Sequence, residues 1–385
     1  MNDLNVHSRR AMPALQFKQS QHTFPTVAKP IIGAKTAPQG MKTPPAAVQY
    51  VRIDEGSEGQ RLDNFLTKIL KGAPKPLIYR IIRSGEVRVN KARASADTRL
   101  HLGDEIRVPP VRLPEPQTDQ ASVPAREFPI LFEDEHLIAL NKPAGVAVHG
   151  GSGVSFGVIE QLRRARPQAK FLELVHRLDK ETSGVLLVAK KRSALTTLQD
   201  SFRNRTAHKT YMAMVIGAWP KSKKVIDVAL HKFLTPEGER RVKAVAESDD
   251  EGRRSITLVK VLQDFGRYSW LDVTIKTGRT HQIRVHLCHE GHAIIGDEKY
   301  GDFALNKALA KGSAVPGYKF DRMFLHAREL RIPHPATGEE VCVMAPLPAE
   351  CQGLVDHLAA QQAKQAFPPV SSTCLLAQFG QDVTP

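Results

Sequence analysis

Apolar residues along the first 48 positions follow no period, and prolines punctuate a polar stretch too poor in large side chains to offset the entropy of ordering. Residues 1–48 are therefore predicted to be a disordered tail. The pattern changes from Tyr50 onward. Leu62, Phe65, Leu66, Ile69 and Leu70 recur at helical spacing, and Leu77, Ile78, Ile81 and Ile82 repeat that spacing after Pro74 and Pro76, so two short amphipathic helices are expected. Gly85 is placed to close the second helix. Val87 and Val89 then alternate as a strand, Asn90-Lys91 supplies a turn, and Leu102–Val108 reads as the returning strand of a compact unit over 49–110.

Residues 111–127 are rich in proline, glutamine and alanine and read as a semi-rigid linker. A larger domain follows over 128–350. Its strands are expected at Leu137–Asn141, Val185–Lys190, Thr210–Ile216, Leu258–Val261, Leu271–Ile275 and Val341–Met344, with helices between them. Ser193 is expected to cap a helix that carries Leu195, Leu198 and Phe202 on one face and stops before Arg203-Asn204-Arg205. A short exposed helix is expected over 351–366, and the chain then ends in a tail to residue 385. No internal repeat is visible. The fold class is α+β, in two domains, as 385 residues would suggest.

Charge narrows the partners. Lysine and arginine total 55 against 40 acidic residues, a formal excess of +15 that favours polyanions through counterion release and long-range attraction. The four cysteines have neither CxxC spacing nor the density of a disulfide framework, which suits a reducing compartment and implies no structural zinc. No stretch approaches the ~18 apolar residues of a membrane span, and the N-terminus lacks the apolar core of a secretory signal. A cytoplasmic location is expected. The rival is an organelle transit peptide, since residues 1–48 hold six Lys and Arg against Asp3 alone; their prolines disfavour the amphipathic helix such a peptide needs.

Specific segments then point to chemistry. Arg61-Leu62-Asp63 and Ser84-Gly85-Glu86-Val87-Arg88-Val89-Asn90-Lys91 resemble the S4 domain, a small RNA-binding module, across the whole of 49–110. Lys75, Arg80, Arg83, Arg88, Lys91 and Arg93 cluster on its second helix and hairpin, a surface suited to phosphates rather than base edges; among them Arg80, Arg83 and Lys91 are the candidate contacts. In the larger domain, His176-Arg177-Leu178-Asp179 followed by Thr182-Ser183-Gly184 resembles the motif of the RluA family of pseudouridine synthases. Asn141-Lys142-Pro143-Ala144-Gly145, Lys209-Thr210-Tyr211, Thr277-Gly278-Arg279-Thr280-His281-Gln282-Ile283-Arg284-Val285-His286 and Gly296-Asp297 are similar to further blocks of that family, in the family's order. Val148–Gly153 running into Ser155–Val158, together with the S4 unit, looks like the RluC type, which modifies several uridines of 23S ribosomal RNA.

The resemblance implies a mixed, largely antiparallel sheet with the active cleft across it, and it assigns roles residue by residue. Asp179 would be the catalytic carboxylate and Arg284 its ion-pair partner. Tyr211 would pack against the target base and assist later proton removal, and Arg177 would help fill the space left by an extruded base. On turn chemistry alone Asp179 reads as a structural residue that accepts backbone hydrogen bonds, and Tyr211 on a strand reads as a core side chain. His176 is expected to anchor the turn by hydrogen bonding.

Isomerising uridine needs no oxidation, hydrolysis or energy input, so no cofactor is expected. One ionised carboxylate can add to the uracil ring, add to the ribose, or assist departure of the base with loss of a ribose proton. A carboxylate in a site closed around a base needs a cation against it to stay ionised. A hydrolytic glycosidase would offer a second carboxylate acting on water, and no paired acid recurs among the matched blocks. His281, His286, Cys288, His289 and His292 supply metal-ligand residue types within twelve positions, but a helix over 281–290 capped by Thr280 would point them in several directions, and no metal is expected. The expected partner is 23S ribosomal RNA, met by a monomer away from membranes. The alternatives are a transfer RNA substrate, a non-catalytic RNA-binding or ribosome-assembly protein, and metal-dependent RNA cleavage.

Overall fold

The computed structural model describes residues 47–111, 123–151, 156–236 and 238–366. The expectations for the tail 1–48, the linker 111–127, Ser152, Gly153 and Ser155, and the C-terminal tail fall wholly or largely outside these residues.

The N-terminal unit forms around Leu62–Ile69 and Lys75–Arg83, the two helices expected from apolar spacing. Pro74 precedes the second helix and Pro76 sits in its first turn, where a missing N–H costs nothing. Leu62, Phe65, Leu66, Ile78, Ile81 and Ile82 bury one shared core with Ile106 and Val108. Three strands close it, with Glu105–Val108 between Gln49–Arg52 and Arg88–Val89. Asn90 and Lys91 both take positive φ, 49° and 68°, which makes the tight turn expected there. Asp63 of the Arg61-Leu62-Asp63 segment accepts hydrogen bonds from the Arg61 guanidinium (2.8 Å) and the Tyr79 hydroxyl (3.0 Å), tying the two helices together.

The larger domain is built on a ten-stranded mixed sheet. From one edge the strands are Ile130–Glu133, Leu137–Lys142, Ser183–Ala189, Leu325–Pro333, His208–Ile216, Tyr268–Ile275, Ile256–Asp264 and Val225–Asp227. Glu340–Met344 also pairs with Leu325–Pro333, and Glu173–Leu174 with Ser183–Ala189. All pairings are antiparallel except that of Ser183–Ala189 with Leu325–Pro333. Ser183–Ala189 is buried throughout: Leu186 and Val188 enter one core cluster, and Val185, Leu187 and Ala189 the opposite one. Both faces are therefore covered, which explains the continuous apolar run in place of alternation.

The helix Arg192–Arg203 lays Leu195 and Leu198 on the second of these clusters, with Phe202 packed beside them. Its cap differs from expectation. Lys191 is the N-cap, in extended backbone, and its carbonyl accepts from Leu195 N–H, so Ser193 lies inside the first turn. The C-terminal helix is also more than a short exposed segment. It spans Ala349–Ala366 and buries Cys351, Leu354, Val355 and Leu358 against Met214, Tyr268, Phe320 and Phe324. A hairpin of Ala229–Leu234 with Arg240–Val245 was not expected from the sequence pattern. No helix among the described residues is long and apolar enough to cross a membrane.

Candidate active site

Asp179 lies in the β-turn that leads into Ser183–Ala189, closed by Thr182 N–H donating to the Asp179 carbonyl at 3.1 Å. Three attachments fix that turn. Leu178 is buried in the core on one side, and Thr182 on the other. Lys142, fully buried, donates from Nζ to the carbonyls of Pro143 (2.7 Å), Val146 (2.8 Å) and Lys180 (3.0 Å), so the residue after Asp179 hangs from the Asn141–Gly145 loop. Burial pushes the Lys142 pKa down to about 7.

Beyond the turn, Ser183 and His326 join the two parallel strands. Arg322 donates to Ser183 Oγ at 2.7 Å, and Ser183 Oγ lies 2.9 Å from His326 Nδ1. Gly184 has φ 110°, and a Cβ there would meet the Ala327 carbonyl oxygen at 2.1 Å, so only glycine fits the Thr182-Ser183-Gly184 segment. His176 anchors the other end of the motif: its Nε2 accepts from Leu187 N–H at 3.1 Å, and its ring stacks on Phe202. Burial, with Lys209 adding to it, lowers the His176 pKa to about 4.

Arg284, on the helix Gln282–His289, reaches the carboxylate from across the cleft. Its Nη1 donates to Asp179 Oδ2 at 3.2 Å, while Nε and Nη2 hold both oxygens of Asp297 at 2.7 and 2.8 Å. Asp297 is fully buried and also accepts from the backbone N–H groups of Lys299 and Tyr300. Burial works against both charges. The Arg284 hydrogen bonds and charge outweigh it at Asp297, whose pKa is lowered, and Asp297 does the same for Arg284, whose pKa is raised.

The helix Gln282–His289 starts later than a Thr280 cap would allow. Gln282 Oε1 accepts from Thr277 Oγ1 (2.7 Å) and from Arg279 N–H (3.1 Å), and that hook places His281 at the N-cap in left-handed backbone, φ 52°. The neighbouring histidines serve separate ends. His281 Nδ1 lies 2.8 Å from the Tyr300 hydroxyl, His286 bonds Thr257 and the Val228 carbonyl, and His292 the Ile216 carbonyl. Among the described residues no group of three or more His, Cys, Asp or Glu side chains is gathered as metal ligands would be.

Two cavities meet at Asp179. The first, of about 280 Å³, is lined by Tyr211, Ile275, Leu325, Phe202 and Lys209. The second, of about 450 Å³, is lined by His149, Gly151, Lys180, Lys299 and Met323. Arg177, Leu178, Asp179, His281 and Arg284 border both. Tyr211 is buried on the strand His208–Ile216 between Val273 and Ala327 of the adjacent strands, and burial together with the charge of Asp179 raises its pKa. The ring thus forms an uncharged floor beside a carboxylate.

Of the residues singled out from the sequence, the fold brings Asp179, Arg177 and Arg284 to this junction and sets Tyr211 in the wall of the smaller cavity beside it. Arg80, Arg83 and Lys91 lie in the N-terminal unit, where all three are exposed and make no ion pair among the described residues. Lys142, Tyr300 and the pairing of Asp297 with Arg284 were missed. The last was open to inference, since a buried arginine requires a second acid and Gly296-Asp297 was already among the matched blocks.

A mixed sheet that presents the Asp179 carboxylate, paired with a buried arginine, where two cavities meet, and that is joined to a module with exposed basic residues, is the arrangement of an enzyme acting on a polyanion. Residues 136–289 match the RNA pseudouridylate synthase family and residues 60–106 match the S4 domain. The chain belongs to that family and is an RNA pseudouridine synthase with an S4 domain. It is 47% identical over 312 residues to the ribosomal large subunit pseudouridine synthase C of Escherichia coli K12, an alignment covering 80% of this chain and 95% of that protein. The protein of the same name from Yersinia pestis is 49% identical, with 80% and 94% covered. Among solved structures, human RNA pseudouridylate synthase domain containing 4 is similar at 26% identity and a TM-score of 0.49, over 60% of this chain and 92% of that one.

Proposed function

We propose that the protein isomerises uridine to pseudouridine at several sites in 23S ribosomal RNA of the large ribosomal subunit, with Asp179 as the catalytic carboxylate. The observation that carries this reading is the position of Asp179 at the junction of the two cavities, with Arg284 Nη1 3.2 Å from Oδ2. The relatives named for the large ribosomal subunit support the choice of RNA.

In the reaction the bond from uracil N1 to the ribose breaks, the base turns, and a bond from C5 to the same ribose carbon replaces it. The proton lost from C5 balances the one gained at N1, so the step needs no external redox partner. Tyr211 and the apolar side chains Ile275 and Leu325 suit the smaller cavity to a flat base, near the lower end of ligand-pocket size. The phenol stays protonated, so its part is to pack against the base rather than to act as a phenolate. Arg177, exposed at the rim of both cavities, is suited to fill the stack that an extruded uridine leaves. Arg80, Arg83 and Lys91 supply phosphate contacts from the S4 domain.

Asp179→Asn, nearly equal in size and without the charge, should abolish tritium release from 5-tritiated uridine in RNA while most RNA affinity remains, because phosphate contacts supply most of it. Turnover near the wild-type rate would remove Asp179 from the chemistry. The substrate is tested by site-resolved pseudouridine mapping of total RNA from cells lacking the protein, complemented by wild type or Asp179→Asn. Loss at a few 23S uridines, restored only by wild type, is expected; a change confined to transfer RNA would overturn the substrate and keep the reaction.

A further inference from the structure

Asp179 has two carboxylate oxygens, and Arg284 accounts for only one. Oδ1 faces Nε2 of His281 at 3.9 Å. That separation exceeds a hydrogen bond, so what the ring offers depends on which nitrogen carries its proton. The surroundings decide this. Val242 N–H, in the hairpin strand Arg240–Val245, donates to the Tyr300 hydroxyl oxygen at 3.1 Å. The hydroxyl's own proton then has His281 Nδ1, 2.8 Å away, as its acceptor. With Nδ1 accepting, a neutral imidazole must carry its proton on Nε2, directed at Asp179.

The ring is neutral because burial lowers its pKa more than the charge of Asp179 raises it. Its position is over-determined. His281 is held in left-handed backbone, a conformation that costs free energy at a non-glycine residue. Tyr300 in turn packs under the Arg284 guanidinium, 5.1 Å from its ring centre, and donates its backbone N–H to Asp297. The hairpin is seated on the same segment, since Lys299 Nζ donates to the Arg240 carbonyl at 3.0 Å and pairs with Glu239 at 2.7 Å.

We infer that His281 is a positioning residue for Asp179, its donor nitrogen fixed by Tyr300 and, through Tyr300, by the hairpin strand Arg240–Val245. The inference rests on the reading of Asp179 as the reacting carboxylate. Arg284 holds Oδ2 through a hydrogen bond and the His281 N–H dipole faces Oδ1 from 3.9 Å, so the two together favour one orientation of the carboxylate toward the base. RNA affinity does not depend on this arrangement, and turnover does.

The test is steady-state tritium release by the full-length chain carrying His281→Leu, His281→Gln or Tyr300→Phe, with Asp179→Asn alongside and thermal melts for each. His281→Leu should lower kcat about tenfold, as loss of an N–H dipole aimed at the reacting carboxylate would, with KM for RNA within about twofold. His281→Gln, whose amide N–H reaches the position of Nε2, should recover most of that loss. Tyr300→Phe should reduce kcat without raising KM. Should His281→Leu fail to fold, Tyr300→Phe, which keeps the ring under Arg284, carries the test. Wild-type kcat in His281→Leu beside an inactive Asp179→Asn would overturn the inference and leave the Asp179 reading standing. So would a loss confined to KM, or glutamine no better than leucine. An active Asp179→Asn would instead overturn the reading of Asp179 itself, and this inference with it.

Discussion

Arg284 grips Asp297 through two nitrogens at 2.7 and 2.8 Å but touches Asp179 through a single one at 3.2 Å. The asymmetry separates two duties. Asp297, fully buried, neutralises and orients the guanidinium, and Asp179, about a quarter exposed, keeps its remaining lone pairs for the cleft. A lone arginine would fold onto Asp179 in the bidentate mode that guanidinium and carboxylate prefer and leave it less free to react.

Asp297→Asn should therefore damage both stability and turnover. The variant strips a buried cation of its bidentate, buried counter-charge, at a cost of about 3 kcal/mol, and frees the guanidinium to close on Asp179, its remaining carboxylate partner. Urea unfolding should show the lower midpoint, and kcat should fall at least about tenfold with RNA affinity within about twofold, since Asp297 is not exposed to RNA. A variant as stable and as active as wild type would contradict the division of duties.

Lys142 makes a similar claim on the other side of Asp179. Replacing it with methionine keeps most of the volume but leaves three carbonyls, including that of Lys180 in the Asp179 turn, without a donor. Several partly buried acceptors lost together should cost about 3 kcal/mol. Because the turn loosens, kcat should drop more than the stability loss alone accounts for when activity is assayed well below the melting temperature. Full kcat in a destabilised Lys142→Met would reduce the residue to a fold-stabilising role.

Much of this was legible in the sequence, and the limits have physical causes. Continuous apolar runs such as Val185–Val188 and strict helical spacing such as Leu62–Leu70 announce their elements because burial alone decides them. The central strand Leu325–Pro333 escaped notice. Arg328, Glu329 and Arg331 interrupt its pattern, and a register shift between Ala327 and Glu329 breaks the alternation on which a strand reading relies. The hairpin Ala229–Leu234 with Arg240–Val245 was hidden likewise by Lys232, Arg240, Arg241 and Lys243. At the site, motif resemblance pointed to Asp179, Tyr211 and Arg284. Tyr300, however, acts through a hydroxyl that bonds one segment and accepts from another 58 residues away, a relation that exists only once the chain has folded.

Two histidines set an acid limit on stability. Burial lowers both His176 and His326 to about 4, below the value of about 6.5 expected when unfolded. Between pH 4 and 6.5 the unfolded chain binds protons that the folded one refuses, so stability rises with pH across that window and is lost as pH falls through it. Each contributes up to roughly 3 kcal/mol to that loss. Urea midpoints measured at pH 7, 5.5 and 4.5 should decline accordingly, and His326→Gln should show a shallower decline from a lower starting value. Equal midpoints at pH 7 and 4.5 would contradict the assignment.

The S4 domain should act on affinity and leave the chemistry alone. Arg80 and Arg83 lie one turn apart on the helix Lys75–Arg83, Lys91 follows in the tight turn, and all three are exposed. Such cations bind phosphates by releasing counterions, and each contact to a single strand contributes roughly 0.7 to the slope of log affinity against log salt. Replacing all three with glutamine should thus weaken binding to ribosomal RNA at low salt and flatten that slope by roughly 2. With RNA saturating, kcat should stay at the wild-type value, because the base is handled by the other domain. Short fragments that occupy only the catalytic cleft should bind the variant and the wild type alike, since the second point of attachment that gives avidity is missing for them. An unchanged salt slope would show that these residues do not meet phosphates, and a fall in kcat at saturation would draw them into the chemistry instead.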